Sequence, residues 1–92
     1  MINQILKLFL MYDQINEPIE VLVSFKTNEI VPQLFSWRRK IYKISQVHLV
    51  HTSTLGRQTL YHFSVTDEVN YFQLVFNPFN LSWVLEKLYS SG

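Results

Sequence analysis

From Pro18 onward, apolar and polar residues alternate with a period of two. Ile19, Val21, Val23 and Phe25 share one parity and Glu20, Leu22, Ser24 and Lys26 the other, the spacing of a strand with one face on a core. Thr27-Asn28-Glu29 breaks it. After Pro32, whose missing N–H suits a strand start or an edge, Phe35 and Trp37 lie on one face, and Arg38-Arg39-Lys40 makes a polar tip. Tyr42 and Ile44 resume the alternation. The inward set then shifts by one residue to Val47 and Leu49, which is how a bulge or strong bend reads in sequence, so a long, kinked strand is expected from Lys40 to Val50. The polar stretch His51 to Gln58 reads as an exposed loop. Tyr61, Phe63 and Val65, then Phe72, Leu74 and Phe76, alternate on either side of Thr66-Asp67-Glu68 and predict a hairpin. Asn77-Pro78-Phe79-Asn80 has the chemistry of a turn. Leu81 to Tyr89 reads as a final strand, with a helical turn as the alternative.

The first fifteen residues differ. Ile2, Ile5, Leu6, Phe9 and Tyr12 recur at three- and four-residue steps, which suits a short helix, but Leu8, Leu10 and Met11 make it apolar almost all round. The segment is too short to span a bilayer, which needs about 20 apolar residues, and it lacks the marks of a secretory signal. A second reading makes Met11 the native start and residues 1–10 an upstream extension. The expected architecture is mainly β: five or six antiparallel strands in a small meander curled into a barrel-like sheet. A helix or arm over 1–16 precedes a single β domain over 17–92 and lies on its outer face, where Leu22, Val31, Leu34, Ile41, Tyr71, Val75 and Val84 would otherwise be uncovered.

Composition supports this class. Valine, isoleucine and threonine supply 21 of the 92 residues and the aromatics 14, whereas alanine is absent; branched and planar side chains favour a pleated surface. With no cysteine, disulfides, thiolate catalysis and cysteine-ligated metals are excluded. The core must then come from apolar side chains, most simply from rings including Phe35, Trp37, Tyr42, Phe63, Phe72, Phe76, Phe79 and Trp83. The net charge of +1 sets up no global field.

Pro32, Phe35, Trp37, Arg38, Lys40, Tyr42 and Ile44 together resemble the core signature P-x-x-F-x-W-R-x-[RK]-x-Y-x-[IV] of a family of small bacterial domains of unknown function. The chain departs from it at Arg39, where a turn residue such as glycine is usual, and after Val47, where His48 and His51 stand in place of a tryptophan. The resemblance implies a small β domain and no established reaction.

Local chemistry is sparse. Trp37-Arg38-Arg39-Lys40-Ile41-Tyr42-Lys43 holds four of the eight basic residues beside two aromatics, a tip that could neutralise phosphates and stack on an exposed base. A solvated, aggregation-resistant hairpin tip with Trp37 and Tyr42 in the core is the plainer reading. His48, His51 and His62 invite a metal site, but a three-residue step along a strand puts His48 and His51 on opposite faces unless a bulge intervenes. No nucleophile elbow or glycine-rich loop is present. The expectation is a cytoplasmic, non-enzymatic module without cofactor, metal, membrane span or small-molecule substrate, which binds a protein partner or its own copy. The alternative is a nucleic-acid module using Trp37, Arg38, Arg39, Lys40, Tyr42 and Lys43.

Overall fold

The computed structural model describes residues 12–90. They form seven antiparallel strands: β1 (Tyr12–Lys26), β2 (Glu29–Trp37), β3 (Lys40–Lys43), β4 (Gln46–Leu55), β5 (Gln58–Thr66), β6 (Asn70–Asn77) and β7 (Ser82–Ser90). The order across the sheet is β3-β2-β1-β7-β6-β5-β4. The predicted mainly β class holds, with no helix among the described residues, and none therefore long and apolar enough to cross a membrane. Of the predicted helix or arm over 1–16, residues 1–11 and the upstream-extension reading of 1–10 lie outside the described residues. Tyr12 to Asn16 are strand, in which Tyr12 to Gln14 pair with β7 and the register shifts before Glu17.

The seventh strand comes from the expected kink. Lys40 to Leu55 is nearly continuous, but its first part pairs with β2 and its second with β5. The switch takes two residues: the Ile44 amide donates to the Gln33 carbonyl at 2.9 Å and the Ser45 amide to the Thr66 carbonyl at 2.7 Å. β3 and β4 thus stand at opposite ends of the sheet order yet follow one another in the chain, which requires the sheet to be rolled up. Ring contacts agree. Phe35 on β2 and Phe72 on β6 are three strand spacings apart, about 14 Å in a flat sheet at ~4.8 Å per step, but their centroids are 5.0 Å apart, edge to face. Tyr42 on β3 also meets Phe72, at 5.4 Å. No ladder joins β3 to β4, so the rolled sheet is open along one seam.

Inside lie Ile19, Phe35, Trp37, Phe63, Val65, Phe72, Leu74, Phe76, Trp83 and Leu85, all buried. These are the inward sets read from alternation, including β7, which is strand and not helix. Three expected inward positions lie elsewhere. The bulge on β4 falls at His48, between Val47 and Leu49, so Val50 faces inward opposite Phe63 and Leu49 turns outward. Phe79, expected in the core, sits exposed in the β6–β7 turn, and Leu81 is an exposed turn residue with φ of 60°. His51 to Gln58 is not a loop: β4 runs to Leu55, and only Gly56-Arg57 turn, with Gly56 at φ of 62°. Polarity suggested a loop there, but the segment, exposed on both faces, is held by its backbone ladder to β5, and Thr52 and Thr54 suit a strand well. On the outer face Leu22 and Ile41 are exposed.

The remaining turns follow side-chain chemistry. Asp67 Oδ1 accepts from the amides of Val69 and Asn70 at 2.7 and 2.6 Å. Asn77 and Asn80 cap the next turn by accepting from Phe79 and Ser82. Such side chains bond their own backbone two residues on and so stabilise the reversal.

Candidate interaction site

The open seam holds a concavity of about 850 Å³. Its floor is Phe63 and Phe76, and Tyr61 flanks them. One wall is Ile30 and Val31 of β2, the other Val47 and Val50 of β4. The walls stand apart because the chain leaves β2 at Ile44 and joins β5 at Ser45, so above that point β2 has lost its neighbour on this side. Phe25 and Leu81 lie at the mouth, exposed by 71% and 75%. Phe25 has the parity of the core but stands at the end of β1, beyond the reach of the opposing strands. The charged groups here are Lys26 and Glu29, one of each sign.

The basic tip keeps its aromatics and its first arginine in contact with the rest of the chain. Trp37 is buried and Tyr42 half-buried, with the Tyr42 ring stacked on Phe35 at 5.2 Å. Arg38 is held by Glu17: Nη2 donates to Oε2 at 2.7 Å and Nε to Oε1 at 3.3 Å. Its guanidinium also lies over the Trp37 ring, 4.5 Å from the centroid. The Trp37 indole N–H donates to the same carboxylate at 2.9 Å. These donors, Arg38 first and Trp37 second, hold the Glu17 carboxyl below its ordinary value. Arg39, Lys40 and Lys43 are exposed. Arg38 and Arg39 both have positive φ, 50° and 66°, as a two-residue hairpin turn of this hand requires. Non-glycine residues there are disfavoured by about 1 kcal/mol each, and the Glu17 contacts help hold the turn.

The histidines lie on the outer face, brought to one side by the bulge at His48, but they do not converge. His48 Nε2 shares a 2.9 Å hydrogen bond with Thr66 Oγ1, and its ring stacks on Tyr71. His51 stacks on His62 with centroids 4.6 Å apart and planes 8° from parallel. His62 Nε2 shares a 2.7 Å hydrogen bond with Ser53 Oγ, while its Nδ1 is buried with no partner among the described residues. Burial, and secondarily the neighbouring His51, depress the His62 pKa. Among the described residues no group of three or more histidines and carboxylates is placed to hold a metal ion.

Sequence reasoning did not single out the seam, Leu81 at its mouth or the outward edge of β4. The available signal was the absence of any charge from Gln46 to Leu55, unusual for a polar stretch at a sheet edge. Comparison with protein-family models, with curated proteins and with solved structures finds no match to this chain.

Proposed function

We propose that this protein is a non-enzymatic binding module whose partner is another polypeptide, received at the seam between β2 and β4. One observation carries the reading: an apolar concavity of about 850 Å³ with exposed Phe25 and Leu81 at its mouth, bordered by a strand that has no ladder on its far side among the described residues. Exposed apolar patches of this kind mark interaction sites. A small apolar molecule would fill the concavity but leave the edge amides and carbonyls of β4 to water, whereas a polypeptide can satisfy both. Lys26 and Glu29 offset each other, which favours a partner segment without net charge. The nucleic-acid alternative keeps Arg39, Lys40 and Lys43, but its two aromatics are turned into the core and Arg38 is paired.

The test compares the native chain with Phe25→Asp/Leu81→Asp, a double change at exposed positions that leaves the fold intact. A partner recovered with the native chain is identified by mass spectrometry and its affinity remeasured with purified components. The double variant should bind at least about tenfold more weakly, a difference of ~1.4 kcal/mol. Equal affinity, or recovery of no protein that depends on these residues, overturns the reading. Salt-sensitive binding of a labelled single strand, strongest near ~50 mM salt, would favour the basic tip instead.

A further inference from the structure

The free edge of β4 carries a sequence with approximate mirror symmetry. Residues 49–55 read Leu-Val-His-Thr-Ser-Thr-Leu, so Thr52 is flanked in turn by His51 and Ser53, Val50 and Thr54, and Leu49 and Leu55. From this we propose that the polypeptide bound at the β4 edge is a second copy of the same chain, whose β4 pairs antiparallel with the first about a twofold axis through Thr52. This deepens the protein-binding reading and rests on it.

Three observations converge. The edge is accessible: every residue from His48 to Leu55 is exposed, and among the described residues β4 pairs only with β5. It lacks the usual protection, since Gln46 to Leu55 contains no proline or charged residue, and a long uncharged edge is a template for another strand. It also matches itself. Directly opposed residues of an antiparallel pair lie on the same face, so a twofold axis between two copies of a regular strand must pass through a residue and not between residues. With the axis at Thr52, that residue meets the partner's Thr52, His51 meets the partner's Ser53, and Val50 meets the partner's Thr54. Leu49 and Leu55, exposed by 55% and 64% on the outer face, then cover one another at both ends. An axis through His51 would set each Leu49 against the partner's Ser53 and oppose the two copies of His51. An opposed Thr–Thr pair is among the favourable ones in sheets, and covering Leu49 with Leu55 takes exposed apolar surface out of water. The resulting contact is isologous and self-limiting, because the twofold pair uses the β4 edge of both chains.

The full chain is tested by sedimentation from about 1 µM to about 1 mM, and a monomer–dimer equilibrium is expected. Leu49→Lys/Leu55→Lys sets lysine against lysine at both ends and should weaken the dimer at least about tenfold, since directly opposed like charges are unfavourable. Leu49→Lys/Leu55→Glu sets lysine against glutamate and should restore it. Because the chain has no cysteine, Thr52→Cys introduces a single thiol on the axis, which should oxidise to a cross-linked dimer faster than Thr54→Cys. All four variants change exposed residues, and matched thermal unfolding in dilute solution confirms that each is folded. A chain that sediments as a monomer throughout, a lysine–lysine variant that dimerises as well as the native chain, or a lysine–glutamate variant that fails to recover overturns the proposal. A monomer that still binds a different protein through Phe25 and Leu81 sinks self-pairing alone and leaves the broader reading standing.

Discussion

Glu17 shows how one side chain can settle what a group of charges does. Set inward on β1 by alternation, it reaches both the Trp37 indole and the Arg38 guanidinium, so the cation nearest the aromatics spends its donors within the chain. Its carboxyl pKa lies below the ordinary value of 4.5, through the Arg38 bonds first and the Trp37 bond second. A carboxylate depressed on folding contributes stability that is fully present above the unfolded-state value and is lost as pH falls through the folded-state one. Melting temperature should therefore drop as pH is lowered below about 4.5. Glu17→Gln should melt lower than the native chain at pH 7 and show a shallower fall in acid. Superimposable melting profiles for the two proteins across that range would show that the contact contributes nothing.

The β4–β5 hairpin is the element in which polar chemistry and the free edge coincide. His51 and His62 lie face to face across it, Ser53 bonds His62, and the unpartnered Nδ1 leaves His62 poorly placed to take a second proton. Facing this pair are Val75 on β6, which is uncharged, and Glu86 on β7, which favours protonation weakly and already accepts from Gln73 at 2.9 Å. With a folded-state pKa below the ordinary 6.5, the hairpin is at full stability above that pH and weakens as pH falls beneath it, because the unfolded chain then binds more protons. Imidazole resonances should show His62 titrating below 6.5. Replacing the neighbouring imidazole, His51→Gln, should move that midpoint upward. An unshifted midpoint in the variant would mean that burial alone sets it.

At the level of the whole molecule, stability depends on the two halves of the sheet meeting across the interior. Phe72 touches both Phe35 and Tyr42 from the opposite wall, so it joins the β1–β3 meander to the β4–β7 meander where no backbone ladder does. Phe72→Ala should cost about 3–5 kcal/mol, a large part of the roughly 5–15 kcal/mol that domains of this size possess. Urea unfolding measures it directly. A cost near that of a surface substitution would show that the β1–β7 ladder alone holds the halves together.

How far each feature could be read from the chain follows from the range of its cause. Alternation fixed the strands and most of the core, including Phe63, Val65, Phe72, Leu74 and Phe76, because the two-residue period of a strand is a local property that burial of one face imprints directly. The turns at Asp67 and Asn77 were legible for the same reason, since their bonds close within three residues. The kink near Ile44 was visible as a shift of parity, but its site and its consequence were not. Only the tertiary structure decided that the chain changes partner there, opens a seam, leaves Phe25, Phe79 and Leu81 outside the core, and strands β4 at an edge. Those outcomes depend on which strand lies beside which, and sequence separations as large as that between Tyr12 and Tyr89, paired across β1 and β7, leave no local periodic trace.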